Sequence, residues 1–345
     1  MFRRVSINNH ENTDKFRLIL LSKWISSIKL VAGAKISTLK NDASSRRYFR
    51  LEKGTKSFIA VDASLGGNCL AFIQIAKYLK KMNLCVPHII ETNVENNFLL
   101  VSDMGNEQYF NAFTSNPDVA NTLLIDAIDS ILIMQKRGIS YQDNLASYDN
   151  SLLNFELELF RKWFCNKHLN LKFNKLDRKD WQECCEFLIE NALGQKQVFV
   201  HRDYHSKNLM VLPKKNPGIL DFQDAVKGPL TYDLVSLLKD CYIKRSPDQI
   251  RSLALYFHKN LDKNILSYLS VNQFMTNFEL MGLQRHLKIA GIFCRLNYRE
   301  KKSSYMQYIH ITLSYIVEIT KKYPELAFID NLIRGKIMQT LAHTR

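Results

Sequence analysis

The chain has 345 residues, of which 46% are apolar and 23% are charged, and these values argue against a disordered chain and allow two domains or two lobes. Its 48 lysines and arginines exceed its 33 aspartates and glutamates and give a formal net charge of +15. This charge is compatible with nucleic acid, an acidic membrane or an anionic small substrate, and it does not distinguish among them.

Targeting features and cysteine usage indicate a cytoplasmic protein. No apolar run approaches the roughly 18 residues of a membrane-spanning helix, and the polar residues after the first arginines leave no apolar core for a signal peptide. The seven cysteines include no C-x-x-C pair, which predicts reduced thiols rather than disulfides or a zinc site. The lysines occur in scattered pairs, which favours a solvated surface, so we expect neither a nucleic acid nor a membrane as partner.

The first hundred residues predict a helix followed by a small sheet. Helical apolar spacing over residues 15–30 precedes three strand-like runs, and a second helix, over residues 68–82, precedes two more. A hinge is predicted at Asp103-Met104-Gly105. The predicted strands cover residues 35–40, 48–53, 58–61, 89–91 and 98–102.

The remaining sequence is mainly helical, with one exception. Three short apolar runs between Gly194 and Gly228 are separated by polar residues and by Pro213 and Pro217. A strand-rich insert in a helical scaffold is where we expect catalytic residues, because loops held on rigid elements carry function. The predicted helices cover residues 121–137, 151–168, 178–193, 231–243, 247–260, 272–296 and 303–322.

The insert contains a pattern typical of kinases. It reads H-R-D-Y-H-S-K-N over residues 201–208 and D-F-Q over residues 221–223, which fits H-R-D-x-x-x-x-N followed by D-F-x. Phosphoryl transfer requires an acceptor for the proton of the attacking hydroxyl and oxygen ligands for the magnesium that bridges the ATP phosphates. We therefore interpret Asp203 as the catalytic base, and Asn208 and Asp221 as ligands of Mg²⁺. The alternative is that the three are turn and cap residues.

The neighbouring residues are weaker candidates. His201 belongs to the predicted catalytic group, where an orienting hydrogen bond is favoured over a reaction of the ring. His205 and Asp224 are predicted substrate contacts, and Lys207 is a further candidate for substrate or phosphate. The alternatives are solvated loop residues and, for Asp224, a local turn.

Two further residues are assigned to structure. Arg202 is expected to pair with a nearby carboxylate. Asp233 stands near the start of a predicted helix, where a carboxylate satisfies free backbone amides or holds the predicted catalytic loop, residues 201–208.

The phosphate side of the site is expected in the loop N-D-A-S-S-R-R-Y over residues 41–48. Protein kinases place a glycine-rich loop there, but this loop contains no glycine. Ser44 and Ser45 are predicted to bind phosphate oxygens, while Arg46 and Arg47 supply positive charge with Arg50 behind them. The alternative is a plain basic hairpin loop.

These motifs resemble the aminoglycoside phosphotransferase-like kinases, and within them the bacterial kinases that act on N-acetylmuramate and N-acetylglucosamine during cell-wall recycling. The most specific matches are D-F-Q-D-A-V over residues 221–226 and Q-R-H-L-K over residues 284–288. The resemblance also includes residues 41–50, 61–63, 99–105, 155–164, 201–208 and 232–238.

The resemblance implies an α+β, two-lobed protein-kinase-like fold. Residues 1–103 would form a nucleotide-binding lobe with a small sheet, and residues 104–345 a mainly helical catalytic and substrate-binding lobe. It implies an enzyme that transfers phosphate from ATP, with Mg²⁺, to the anomeric hydroxyl of an amino sugar, giving a sugar 1-phosphate. Arg285 would be a contact to an anionic sugar, against the alternative of plain helix packing.

One departure concerns the ATP phosphates. Val61 occupies the strand position where most kinases have a lysine, and the following helix lacks the glutamate that would pair with it. The loss of both partners suggests that another cation replaces the lysine.

Three other functions remain open. A protein kinase is disfavoured because the sequence lacks an A-P-E segment and a long activation stretch. A kinase of another small alcohol, of the choline, homoserine or aminoglycoside type, is the stronger alternative. The third is a pseudokinase or a basic nucleotide- or RNA-binding module without turnover.

Overall fold

A computed structural model describes residues 2–39, 46–65 and 69–337 of the chain. It divides into two compact units, one formed by residues 1–77 and 86–105 and the other by residues 78–85 and 106–345. Within the described residues, no helix is both long enough and apolar enough to cross a bilayer.

The first unit contains helix α1 (Phe2–Ser27) and a five-stranded antiparallel sheet, as the sequence predicts. The sheet order is β1-β2-β3-β5-β4. A tight turn joins β2 to β3, and Gly54 adopts there a φ of 59°, which glycine accepts without steric cost. The strands are β1 (Lys35–Leu39), β2 (Arg47–Lys53), β3 (Lys56–Asp62), β4 (Ile89–Asn93) and β5 (Phe98–Ser102).

The core of the first unit forms where α1 packs on the sheet. One face of β2 and β3, which includes Phe49, Leu51 and Ala60, is buried in a cluster with residues of α1. Trp24 of α1 stacks on Phe98 of β5 with ring centroids 5.7 Å apart. The buried cluster comprises Leu21, Ile25, Val31, Phe49, Leu51, Ala60, Phe98 and Leu100.

The second unit is mainly helical, and α10 is its longest element. The residues of helix α2 (Cys69–Lys81) from Tyr78 onward belong to this unit. The predicted helices are present, and α3, α9 and α12 are additional to them. The helices are α3 (Tyr109–Ser115), α4 (Pro117–Gly138), α5 (Asn150–Leu159), α6 (Lys175–Gly194), α7 (Tyr232–Leu238), α8 (Pro247–Lys259), α9 (Lys263–Leu266), α10 (Val271–Glu300), α11 (Ile309–Thr320) and α12 (Ala327–Asn331).

Close packing of α5 against α10 depends on Gly291. A Cβ added to Gly291 would lie 2.3 Å from the backbone carbon of Leu159, so only glycine permits this approach. Just beyond Leu159, α5 continues as a π-helical segment, Phe160–His168. The close contact brings residues of α5 and α10 together beneath the catalytic loop.

The strand-rich insert of the second unit frames that loop. Two small sheets form, one with the order β6-β10-β7 and one from β8 and β9. The sequence anticipates β7, β8 and β9 but misses β6 and β10. The strands are β6 (Ala146–Ser147), β7 (Gln197–Val200), β8 (Leu209–Met210), β9 (Gly218–Ile219) and β10 (Val226–Pro229).

Helix α7 ends earlier than predicted. Periodicity suggests a helix to residue 243, whereas α7 ends at Leu238. The buried carboxylate of Asp240 accepts hydrogen bonds from the backbone amides of Ser206, at 3.0 Å, and Tyr242, at 2.9 Å. These bonds turn the chain away from the helix axis and attach it to the catalytic loop.

Candidate active site

The catalytic loop, residues 201–208, is held at its start by Asp233. The Asp233 carboxylate, in the first turn of α7, accepts hydrogen bonds from the backbone amides of His201 at 2.7 Å and Arg202 at 3.0 Å. Arg202 has a φ of 76°, a conformation that L residues rarely adopt, and these bonds hold the strained backbone in place. Burial raises the pKa of Asp233 to about 7. The prediction that Asp233 holds the catalytic loop is confirmed.

The imidazole of His201 is engaged at both ring nitrogens. Nδ1 accepts a hydrogen bond from the backbone amide of Asp203 at 3.2 Å, and Nε2 lies 3.0 Å from the carbonyl oxygen of Leu220. The Nδ1 bond assigns the proton to Nε2, which donates to Leu220. Burial lowers the pKa of His201 to about 4, so the ring is neutral. This arrangement suits an orienting role for His201.

Leu220 joins the two halves of the kinase pattern. Its amide donates to the carbonyl of Asn208 at 2.9 Å, while its own carbonyl accepts from His201. Asp221 follows directly, with a φ of 59°. A single backbone segment therefore brings Asn208 and Asp221 next to each other.

The carboxylate of Asp203 lies among cationic side chains. Burial raises its pKa, but the charges of Lys288, Arg202 and other neighbours outweigh burial and hold the pKa below its usual value. Within the described part of the chain, no side chain or backbone amide donates to this carboxylate. Asp203 is therefore ionised and has its oxygens available for a hydroxyl group.

A buried network beneath Asp203 is built around Glu156 of α5. One Glu156 oxygen lies 2.6 Å from a guanidinium nitrogen of Arg202 and 2.8 Å from Nζ of Lys288, which is on α10. The hydroxyl of Tyr148 also donates to Glu156, and Lys288 donates to the hydroxyl of Tyr232 at 3.0 Å. Burial opposes ionisation of Glu156, but Lys288 and Arg202 together hold its pKa below the usual value. The predicted pairing of Arg202 with a carboxylate is confirmed.

The predicted magnesium ligands, Asn208 and Asp221, carry side-chain oxygen atoms, the donor type that Mg²⁺ prefers. Asn208 uses its amide nitrogen to donate to the carbonyl of Asp203, and no described group donates to its Oδ1. Gln223 donates from Nε2 to Asp221 at 2.9 Å and to Asp224 at 3.1 Å. No cluster of three or more His, Cys, Asp or Glu side chains suited to a metal occurs in the described ranges. Two protein ligands completed by nucleotide phosphates and water are typical of Mg²⁺, so these residues fit it.

The predicted substrate contacts have different surroundings. Arg285 of α10 is only 3% exposed, and its Nη1 has no hydrogen-bond partner. The positive charge of Arg285 helps to lower the pKa of Asp203. The ring of His205 packs against Tyr242 at 5.3 Å, and its Nδ1 is also unpartnered. Asp224 is exposed and connected to Asp221 through Gln223.

The predicted phosphate cations lie in the first unit. Arg47 contacts the buried carboxylate of Asp62 at 2.6 Å, and Arg50 contacts Asp103 at 2.6 Å. Arg46 is 7% exposed, at the bend before β2. Ser44 and Ser45 lie outside the described residues.

Sequence reasoning missed Glu156 and Arg17. Glu156 stands on the apolar face of α5 between Leu153 and Leu157, and a single carboxylate on such a face signals a buried partner. Arg17 of α1 contacts Asp62 at 2.7 Å and has no comparable signal, because the two residues are far apart in sequence.

Comparison with known proteins agrees with this geometry. The chain matches the model of the phosphotransferase enzyme family, APH, over residues 35–263. It is 37% identical over 305 residues to the N-acetylmuramate/N-acetylglucosamine kinase of Pseudomonas putida, covering 88% of each chain. The corresponding kinase of Neisseria meningitidis is 33% identical over 316 residues, covering 90% of this chain and 93% of the relative. A solved aminoglycoside 2'-phosphotransferase in complex with GDP has a TM-score of 0.60 at 12% identity, covering 86% of this chain and 98% of that chain.

The fold and the loop between β7 and β9 define an enzyme with the two-lobed, α+β kinase-like architecture, as predicted. The chain belongs to the APH phosphotransferase enzyme family.

Proposed function

We propose that this enzyme is a sugar kinase that uses ATP and Mg²⁺ to phosphorylate the anomeric hydroxyl of N-acetylmuramate and N-acetylglucosamine, in the recycling of peptidoglycan. The observation that carries the proposal is the identity of 33–37% to kinases named for these two sugars, over nearly the full length of both chains. Residues 1–103 would bind the nucleotide and residues 104–345 the acceptor.

Asp203 acts as the base in this reaction. Its ionised carboxylate accepts a hydrogen bond from the sugar hydroxyl, orients the hydroxyl oxygen toward the γ-phosphate and receives the proton as the new bond forms. The low pKa set by Lys288 and Arg202 keeps Asp203 ionised at neutral pH. Asp233 and His201 act by fixing the loop that carries this carboxylate, so His201 is a positioning residue.

The remaining groups balance the charge of ATP. Asn208 and Asp221 would hold Mg²⁺, which neutralises part of the phosphate charge and screens it from the incoming oxygen. Gln223 orients the Asp221 carboxylate through its Nε2. Arg46, Arg47 and Arg50 are the candidate cations for the phosphates, and of these Arg47 contacts Asp62 and Arg50 contacts Asp103.

Three residues are proposed to contact the sugar. Arg285 has a buried, unpartnered Nη1, and its charge helps to lower the pKa of Asp203, which suits an anionic or hydrogen-bond-accepting sugar substituent. His205 has an unpartnered Nδ1 in the same loop, and Asp224 has an exposed carboxylate beyond Gln223.

An acceptor panel tests the proposed function. The purified enzyme is incubated with ATP, Mg²⁺ and one acceptor at a time: N-acetylmuramate, N-acetylglucosamine, choline, homoserine or kanamycin. ADP release is followed with a coupled assay. We expect kcat/KM for the two amino sugars to exceed that for the other acceptors by at least about a hundredfold. A preference for choline, homoserine or kanamycin would contradict the proposal.

A further inference from the structure

Lys207 of the catalytic loop points its ammonium group into a box of aromatic rings. Its Nζ lies 4.3 Å from the ring centroid of Tyr242, 5.3 Å from Phe110, 5.5 Å from Tyr308 and 5.9 Å from Tyr305. All four distances fall within the roughly 6 Å over which a cation is attracted by the face of a ring.

The aromatic box, which we define as Phe110, Tyr242, Tyr305 and Tyr308, is assembled from three separate elements. Phe110 comes from α3, Tyr242 follows α7, and the other two belong to the 3₁₀ turn Ser303–Tyr308. The ring planes of Phe110 and Tyr242 meet at 81°, and those of Tyr242 and Tyr308 meet at 87°. Rings that are roughly perpendicular to one another surround a cation on several sides, as in sites that recognise an alkylammonium ion.

The backbone of Lys207 is also fixed. Its carbonyl accepts a hydrogen bond of 2.8 Å from the side chain of Gln108, directly before α3. The preceding residue, Ser206, is bound through its amide to Asp240, and the following residue is the proposed magnesium ligand Asn208. The ammonium group and the backbone of Lys207 are thus both anchored immediately beside Asn208.

We propose that the aromatic box is a cation-binding site whose occupant is the chain's own Lys207. The internal cation has two consequences. It positions the turn Ser206–Asn208, and with it the Asn208 side chain, and it closes the box to alkylammonium groups from solution. The second consequence deepens the proposed function and rests on it, because a filled cation box beside the catalytic loop favours acceptors without a cationic group.

Removal of the Lys207 side chain tests the internal cation. Lys207→Ala empties the box, and propylammonium supplies the missing ammonium and methylene groups. We expect the variant to lose roughly tenfold in kcat and to require a higher Mg²⁺ concentration, and propylammonium to restore both. Propionamide, a neutral molecule of similar size, should restore neither. Lys179→Ala, which removes an exposed lysine of α6, should behave as wild type.

Two variants whose side chains are similar in length to lysine separate the effect of the charge from the effect of packing. Lys207→Arg keeps a cation in the box, and Lys207→Met fills it with a neutral chain. The arginine variant should retain the wild-type magnesium dependence. The methionine variant should require a higher Mg²⁺ concentration than wild type and should not respond to propylammonium. This comparison decides the positioning role even if Lys207→Ala does not fold. Equal magnesium dependence of the arginine, methionine and wild-type proteins would overturn the proposal.

Binding is measured separately from catalysis. Propylammonium should raise the thermal unfolding temperature of Lys207→Ala, because a ligand that binds only the folded state stabilises it, and should leave wild type and Lys207→Met unchanged. Equal shifts in wild type and Lys207→Ala, or no shift in either, would contradict a box occupied by Lys207. If wild type does not phosphorylate amino sugars, the proposed function fails, while this binding experiment still decides the assignment of the box.

Discussion

The side-chain amide of Asn208 donates a hydrogen bond of 3.0 Å to the backbone carbonyl of Asp203. The bond ties the end of the catalytic loop to the residue that carries the proposed base. It also fixes the Asn208 side chain, so that its nitrogen faces the loop and its oxygen faces away from it. The geometry explains why asparagine suits this position, since an aspartate would present a second oxygen to the carbonyl of Asp203.

The first prediction concerns the metal ligands. Asn208→Ala and Asp221→Ala should each raise the Mg²⁺ concentration for half-maximal activity by at least roughly tenfold, because each removes an oxygen ligand. The measurement is a magnesium titration of the initial rate at saturating ATP. Asn264→Ala, at an exposed asparagine of α9, serves as the matched control. Unchanged magnesium dependence in both site variants would mean that neither residue is a ligand.

The second prediction concerns the base. Asp203→Asn should lower kcat by roughly a hundred- to ten-thousandfold, because the amide cannot accept the hydroxyl proton, while ATP binding persists. Steady-state kinetics and calorimetric ATP titration measure the two effects. Turnover within threefold of wild type would remove Asp203 from the mechanism.

The third prediction concerns the cation that replaces the missing lysine of β3. Arg46→Ala and Arg47→Ala should differ by at least about tenfold in kcat/KM for ATP, which corresponds to about 1.4 kcal/mol. The difference is expected because adjacent side chains of an extended segment point to opposite faces. Removal of Arg47 should also lower stability, because Arg47 is paired with buried Asp62. If Arg46, Arg47 and Arg50 can all be replaced by alanine without a change in ATP kinetics, the replacement cation lies elsewhere.

The fourth prediction concerns the stability of the buried network. Glu156→Gln should lower the free energy of unfolding at pH 7 by about 3–5 kcal/mol, because Arg202 and Lys288 would remain buried without their carboxylate. Urea denaturation measures this loss. Glu183→Gln, at an exposed ion pair with Lys179, should stay within about 0.5 kcal/mol of wild type.

The pH dependence of that difference follows from the pKa of Glu156. The folded-state pKa is lowered from its usual value, so the charge of Glu156 stabilises the fold above the unfolded pKa of about 4.3. This contribution is lost as the pH falls through the folded pKa. The difference in unfolding free energy between wild type and Glu156→Gln should therefore be full near pH 7 and shrink below about pH 4. A difference that grows on acidification would contradict the network.

Local patterns in the sequence predict most of the fold and the catalytic loop. Helical and strand periodicity places α4, α8 and the sheet of the first unit, and fixed spacing singles out Asp203, Asn208 and Asp221 as candidate site residues. These features depend on residues close together in the chain.

Features that depend on distant residues are absent from that prediction. The early end of α7 follows from the bond between Asp240 and Ser206, and the role of Glu156 follows from its contact with Lys288. The surroundings of Lys207 come from three separate elements. None of these relationships leaves a periodic signal, because tertiary packing rather than local preference determines them.

The most direct test of the proposed anomeric kinase is the position of the phosphate in the product. N-acetylglucosamine is incubated with the enzyme, ATP and Mg²⁺, and the product is analysed by phosphorus and proton NMR. We expect a sugar 1-phosphate, with coupling between the phosphorus and the anomeric proton, and no turnover of the methyl glycoside, whose anomeric oxygen is blocked. Phosphate on another hydroxyl, or phosphorylation of the methyl glycoside, would contradict it.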